Sequence, residues 1–118
     1  MTMRHVTTDR DWRLVAGEAP TVGRGVDHYQ VLRSSDGSVV QDINFQDGPL
    51  KEVGGVNGVT NEMLISAVID RLEHFQAHEQ TRCRENAMVI TKLEEALHWL
   101  RHRTQERLAR GVEGTYAK

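Results

Sequence analysis

The most distinctive chemical feature of the sequence is a group of arginines near its C-terminal end. Between Trp99 and Arg110 there are four arginines and one acid, a local excess of three positive charges in a chain whose formal net charge is −2. Arg103 and Arg107 are four residues apart, so on a helix they share one face and can converge on one anion. The pattern indicates either a phosphate-binding site or a solvated basic face that partly serves the helix C-terminus.

A seam of mostly apolar residues runs along the same segment, with spacings that alternate between three and four residues. That rhythm is typical of a helix that packs lengthwise against another helix. The polar residues at its two ends indicate either a functional site or a seam that frays into solvent, with Asn86 setting the register. The seam consists of Cys83, Asn86, Ile90, Leu93, Leu97, Leu100, Thr104 and Arg107.

The spacing of Asn86 and Arg103 limits how they could share a ligand. They are 17 residues apart, which is roughly 26 Å along one straight helix, so no small molecule could touch both within one chain. If both serve one site, two chains must run antiparallel there, and a two-fold dimer then creates two equivalent sites. A second apolar face independently favours a homo-oligomer, because one partner helix would not cover both faces. It consists of Met88, Val89, Ala96 and Trp99.

Other chemistry-bearing residues do not form a catalytic group. His98 and His102 are four residues apart and could hold one metal ion, but no HExxH pattern or third ligand accompanies them. Cys83 is the single cysteine, which excludes an internal disulfide and favours a buried, inert thiol on the seam. Glu94 and Glu95 are adjacent and point in different directions. The sequence therefore predicts no enzyme, no metal site and no cofactor.

The elements that position these residues are predicted to be two helices. Residues 59–110 contain neither Gly nor Pro, which strongly favours helix. Thr60 is placed to cap the first helix, and polar residues from Ala77 to Thr81 mark the bend. The second helix is expected from about Thr81 to Arg110, with Gly111 ending it.

The N-terminal half predicts a small antiparallel sheet. Residues 27–33 and 38–46 flank a Ser-Ser-Asp-Gly turn, and the second segment alternates apolar and polar side chains. Residues 12–15 are expected to add a third strand, and residues 1–10 carry little pattern and are expected to be disordered. The predicted fold class is therefore α+β, with residues 1–58 as a β region ending in a glycine-rich loop and residues 59–118 as a helical hairpin, within one compact domain.

Composition and hydropathy limit the classes of protein to which the chain could belong. The 118 residues are 38% hydrophobic and 27% charged, as in a folded domain of one core. No apolar stretch is long enough to span a membrane, and no signal-peptide pattern opens the chain. We therefore expect a cytoplasmic protein without a surface built wholly for nucleic acid or membrane.

Several segments of the chain resemble the phage Thoeris anti-defence proteins. The resemblance covers about residues 45–115, and one helical core segment is also similar to the helical hairpin of phage anti-CBASS cyclic-dinucleotide sponges. At the bend, residues 78–82, the family tends toward a Gly-Pro pair that this chain lacks. The segments are Cys83-Arg84-Glu85-Asn86-Ala87, Ile90-Thr91-Lys92-Leu93-Glu94-Glu95-Ala96, Arg103-Thr104 and Arg110-Gly111-Val112-Glu113-Gly114-Thr115, with Phe45-Gln46-Asp47-Gly48-Pro49, Lys51-Glu52-Val53 and Val56-Asn57-Gly58-Val59 upstream.

The resemblance implies a sponge that binds a cyclised ADP-ribose immune signal, glycocyclic ADP-ribose, without degrading it. It also implies dimers or hexamers (trimers of dimers), and separate sites for cyclic di- and trinucleotides in some members. Carried over residue by residue, the ligand site comprises Phe75, which would stack on adenine, Asn86, which would hydrogen-bond a base edge or ribose hydroxyl, and Arg103 and Arg107, which would bind the pyrophosphate.

Two other functions remain open from sequence. One is a nucleic-acid-binding regulator that uses the arginine face of the second helix, which would bind with a steep salt dependence. The other is an enzyme that hydrolyses the signal through a metal at His98 and His102. The acidic net charge and the 5% aromatic content argue against the first, and the lack of an acid–base pair argues against the second.

Overall fold

A computed structural model describes residues 3–19 and 25–118 of the chain. The described chain divides into two compact units. The first unit includes residues up to 48 and residues 53–59, and the second includes residues 49–52 and 60–118. The order of elements, strands first and helices after, confirms the predicted α+β class.

The first unit is built on a four-stranded antiparallel sheet in which neighbouring strands follow one another along the chain. The register pairs Trp12 with Arg33 and Ala16 with Tyr29 across the two central strands. The three predicted strands are therefore confirmed. The strands are β1 (Arg4–Asp9), β2 (Trp12–Ala16), β3 (His28–Arg33) and β4 (Val39–Asn44).

Strand β1 corrects the expectation that residues 1–10 are disordered. Its six residues are all exposed, and its register with β2 shifts between His5 and Thr7. An edge strand without a buried face shows no regular alternation of apolar and polar residues, since main-chain hydrogen bonds to the neighbouring strand hold it. Residues 1 and 2 lie outside the described residues.

The turn between β3 and β4 has the expected chemistry. Gly37 adopts a φ of 73°, a left-handed conformation that glycine reaches without steric cost, and its N–H donates to the Arg33 carbonyl at 2.8 Å. The Asp36 carboxylate accepts from both the backbone N–H and the hydroxyl of Ser38. These hydrogen bonds hold the pKa of Asp36 below its usual value.

The glycine-rich loop after β4 folds back onto the strand end. Phe45 and Val59 form an isolated bridge, and the Gln46 side chain donates to the carbonyl of Gly55 and accepts from the N–H of Asn57. A side chain at Gly58 would place its Cβ 2.5 Å from the Phe45 carbonyl carbon. Glycine is therefore required there by the close approach of two backbones.

The second unit contains the helical hairpin and a short helix that the sequence did not predict. Thr60 caps the first long helix as predicted, since its hydroxyl accepts from the Met63 N–H at 3.2 Å. The second long helix begins at Arg84, later than the expected Thr81, because Cys83 serves as its N-cap and accepts from the Asn86 N–H. In this position Cys83 is exposed, so the expectation of a buried thiol was wrong. The helices are α1 (Leu50–Val53), α2 (Asn61–Gln76) and α3 (Arg84–Ala109).

The predicted seam of α3 is the face that packs against α2. Ile69 of α2 and Leu97 of α3 are buried at 8% and 7% exposure. Met88, Val89 and Trp99 remain exposed on the rest of α3, as expected for residues off the seam. The least exposed residues of α3 all belong to that seam: Asn86, Ile90, Leu93, Leu97, Leu100, Thr104 and Arg107.

Within the described ranges, no helix is both long enough and apolar enough to cross a bilayer.

Candidate functional site

Phe75 lies in the last turn of α2 and is half-buried. The guanidinium carbon of Arg71, one turn earlier, is 5.2 Å from the centre of its ring, within the range of a cation–π contact. The Phe75 carbonyl accepts a hydrogen bond of 2.7 Å from the Thr81 hydroxyl. Phe75 is thus held next to the bend by its backbone and flanked by a cation.

Asn86 lies in the first turn of α3, on the other side of the bend. Its N–H donates to the Cys83 sulfur at 3.4 Å, and its side-chain amide lies 3.5 Å from the Thr81 carbonyl, a long contact. Because Thr81 approaches both Phe75 and Asn86, the structure brings these two predicted site residues to the same end of the hairpin.

Arg103 lies nearly five turns further along α3 and is exposed. No hydrogen bond or ion pair joins its side chain to the described part of the chain. Trp99, one turn before it, is 62% exposed, and the rings of His98 and His102 meet Trp99 edge-on at 5.9 Å. The Arg103 guanidinium therefore keeps its full set of donors for an anion.

Arg107 is placed differently, because residues after α3 fold back onto it. The residue is 7% exposed. Its guanidinium donates to the carbonyls of Val112 and Thr115 at 3.0 Å and to that of Ala117. Its Nε is 3.3 Å from the Glu113 carboxylate. Every nitrogen of this guanidinium thus has a partner in residues 112–117, which we call the tail.

The tail takes this course through two glycines in the left-handed region. Gly111 and Gly114 have φ values of 73° and 82°, which residues with a Cβ rarely adopt. The Gly114 carbonyl accepts from the Lys51 N–H at 3.0 Å, so the tail also contacts α1. Arg107 would reach a ligand only after the tail released its guanidinium.

The four predicted residues therefore form two pairs within one chain. Phe75 and Asn86 lie at the bend end of the hairpin, and Arg103 and Arg107 at the other end of α3, which we call the tail end. The two ends of α3 are too far apart for one small ligand, as the helical rise predicts. A site made by two antiparallel chains stays a prediction.

An open groove between α2 and α3 presents charges of both signs. Its volume is about 570 Å³. Since acidic and basic side chains face it together, it does not have the character of an anion site. In the described residues, no three His, Cys, Asp or Glu side chains group as metal ligands, and His98 and His102 have no third partner. The groove is lined by Ser66, Ile69, Asp70, Glu73, Glu94, Leu97, His98, Arg101, His102 and Gln105.

Sequence reasoning placed Thr81 at the bend but did not identify its hydrogen bonds, and it did not single out Arg71 or Gln76, which also shape the bend end. Arg71 precedes Phe75 by four residues, and that spacing could have indicated the contact on one helix face. The hydrogen bonds of Gln76 and Thr81 cross the bend, so no periodic pattern could have indicated them. Gly111 and Gly114 could have indicated that the chain turns after α3. No residue type or spacing in the sequence indicated which residue the tail contacts.

Comparison with known proteins gives two matches. A family model described as "Acb2/Tad1, hairpin domain" matches residues 37–105, more than half of the chain. The protein "Thoeris anti-defense 1" of Bacillus phage SBSphiJ7 is 53% identical over 96 residues, which cover 81% of this chain and 66% of that relative. The predicted resemblance is thereby confirmed: the chain belongs to the Acb2/Tad1 hairpin-domain family.

Proposed function

We propose that this chain is a phage anti-defence protein that acts against Thoeris by binding glycocyclic ADP-ribose and holding it unaltered. The observation that carries the proposal is the 53% identity to a phage protein named for Thoeris anti-defence. The family match at residues 37–105 includes Phe75, Asn86 and Arg103. Such a signal is made inside the infected cell, so the protein would act in the bacterial cytoplasm.

The bend end supplies the groups that suit the adenosine part of the ligand. Phe75 offers an aromatic ring on which the adenine can stack, and the Arg71 guanidinium lies over the same ring at 5.2 Å. Asn86 is half-buried and carries both a donor and an acceptor. Its side chain can therefore bind a base edge or a ribose hydroxyl in addition to its long contact with Thr81.

The tail end supplies the groups that suit the pyrophosphate. Arg103 is exposed, and its planar guanidinium can bind two phosphate oxygens at once. Arg107 shares this face of α3, although its donors are directed at the tail. In the proposal Arg103 makes the direct phosphate contact, and Arg107 joins it if the tail moves on binding.

One complete site in this proposal needs both ends of α3, and therefore two chains. An antiparallel pair would bring Asn86 of one chain to Arg103 of the other, and the two-fold symmetry would create two such sites. The exposed apolar residues Met88, Val89 and Trp99 support the pairing, because a second chain would remove them from water. Dimers, or three dimers in a hexamer, are the proposed assemblies.

Sequestration requires tight binding and no reaction. A preformed pocket binds tightly because few side chains lose freedom on association. The proposal therefore assigns no catalytic residue, metal or cofactor. Cyclic di- and trinucleotides are proposed as further ligands at separate sites, whose residues we do not assign.

The test is a calorimetric titration of the full chain with purified glycocyclic ADP-ribose, followed by denaturation and chromatography of the released ligand. Binding near one ligand per chain with recovery of intact ligand is the expected result. Recovery of a hydrolysed product would replace the sponge with an enzyme. Absence of binding, together with duplex DNA binding that weakens steeply with salt, would favour the nucleic-acid regulator.

A further inference from the structure

Side chains help to hold the bend between α2 and α3, together with backbone hydrogen bonds from Thr81 and Arg82 to the His78 carbonyl. Residues 77–83 contain neither Gly nor Pro. The last carbonyls of a helix have no partner within it and must find one elsewhere. Here the Thr81 hydroxyl donates to the Phe75 carbonyl at 2.7 Å, and Arg82 Nε donates to the Gln76 carbonyl at 2.9 Å.

The side chain of Gln76 closes the bend. Its Oε1 accepts from the Cys83 N–H at 2.9 Å, and its Nε2 donates to the Cys83 carbonyl at 3.0 Å. One amide thus pairs with both backbone groups of a single residue seven positions later. We call these two hydrogen bonds the Gln76 clamp.

The residue held by the clamp is the one that starts α3. Cys83 is the N-cap, and its sulfur accepts from the N–H of Asn86. On the other side, Gln76 directly follows Phe75 in the last turn of α2. The clamp therefore connects the backbone beside Phe75 to the backbone that sets the position of Asn86.

We propose that Gln76 is a positioning residue for the ligand site: it fixes the spacing of Phe75 and Asn86 before the ligand arrives. This inference rests on the proposed function, in which those two residues contact the ligand. Thr81 assists, since its hydroxyl binds the Phe75 carbonyl and its own carbonyl lies near the Asn86 amide. Without the clamp, part of the binding free energy must order the bend.

The test compares Gln76→Ala and Gln76→Glu with Gln80→Ala in the full chain. Gln80 lies in the same bend, and its side chain makes no hydrogen bond within the described residues. Gln76→Glu keeps an acceptor for the Cys83 N–H and loses the donor to the Cys83 carbonyl. The probes are glycocyclic ADP-ribose affinity by calorimetry and amide hydrogen exchange at Cys83 and Asn86.

The three variants are expected to differ in their affinity for the ligand. Gln76→Ala should weaken affinity by about five-fold or more, since two hydrogen bonds that pre-order the site are lost. Gln76→Glu should fall between Gln76→Ala and the unmodified chain, and Gln80→Ala should match the unmodified chain. Exchange at Cys83 should accelerate in Gln76→Ala while exchange at amides in the middle of α3 stays unchanged, whereas a purely global stabilising role would accelerate both.

The outcomes separate this inference from the proposed function. If the unmodified chain binds and Gln76→Ala binds equally well, the positioning role is overturned while the proposed function stands. If Gln76→Ala and Gln80→Ala weaken binding alike, the effect belongs to the bend in general and the clamp is overturned. If the unmodified chain does not bind, the proposed function fails, and the positioning role fails with it.

Discussion

The two ends of the hairpin hold their polar residues in opposite ways. At the bend end, Phe75 and Asn86 are half-buried, and exposed hydrogen bonds between side chains and backbone fix the chain around them. At the tail end, Arg103 has no partner in the described chain, and Arg107 is buried with four partners. Solvent-exposed contacts shape the bend end, whereas a buried charge shapes the tail end.

This difference determines how substitutions at each end should be interpreted. A neutral hydrogen bond at a wet bend contributes little to global stability, so a substitution there acts mainly on the local geometry. A buried charge that loses its partners destabilises the whole fold. Loss of ligand binding in an Arg107 variant therefore identifies a ligand contact only if the free energy of unfolding is measured too.

The largest expected effect is on the stability of the tail end. Arg107→Ala leaves the Glu113 carboxylate and three tail carbonyls without their cation, and we expect the free energy of unfolding to fall by about 3 kcal/mol. Arg107→Lys should lose about half as much, because an ammonium keeps the charge but cannot reach all of these acceptors. Urea denaturation monitored by circular dichroism measures both values.

Arg101→Ala is the matched control for this experiment. Arg101 is an exposed arginine on the same helix, and we expect its removal to change stability by less than about 0.5 kcal/mol. An Arg107→Ala loss below about 1 kcal/mol, with Arg101→Ala unchanged, would contradict the contribution that we assign to the buried arginine. The tail contacts would then be too weak to distinguish the two ends.

The next effect concerns ligand binding at the same end. Arg103→Ala should leave the free energy of unfolding unchanged, because the side chain has no partner in the described chain. It should weaken binding of glycocyclic ADP-ribose by about 1.5–3 kcal/mol, as expected for one charge-assisted hydrogen-bonded contact. Calorimetric titration of Arg103→Ala beside Arg101→Ala measures the difference, and equal affinities in the two variants would remove Arg103 from the site.

Periodicity predicted the parts of the fold that depend on one buried face. The seam of α3 was read from alternating spacings of three and four, and all of its residues except the exposed N-cap Cys83 are the least exposed of that helix. Thr60 was identified as an N-cap because a hydroxyl before a helix satisfies a free N–H. These features are local, so residue types and spacing are sufficient to predict them.

Periodicity could not predict contacts made by segments without a buried face. Strand β1 is exposed along its whole length and is held through its backbone, so its side chains carry no signal. The tail reaches Arg107 mainly through carbonyls, which every residue has. Sequence therefore placed Arg107 on the correct helix face and could not indicate that the tail engages its donors.

The smallest expected effect is a pH dependence at the bend end. His74, in the last turn of α2, lies with Nδ1 2.9 Å from the Asp70 carbonyl and 3.7 Å from the Asp70 carboxylate. The hydrogen bond to that carbonyl, followed by the charges of Asp70 and Glu73, raises the pKa of His74 above its usual value of 6.5. Protonated His74 also suits a helix C-terminus.

Because the pKa of His74 is raised in the folded state, its protonation makes a contribution to stability at low pH. It is fully present below the unfolded pKa of about 6.5 and is lost as the pH rises through the higher folded value. The urea midpoint of the unmodified chain relative to His74→Ala should therefore be higher at pH 5.5 than at pH 8, with His78→Ala as the control. A midpoint difference that does not vary with pH, or that grows toward pH 8, would show that the bend end gains nothing from a protonated His74.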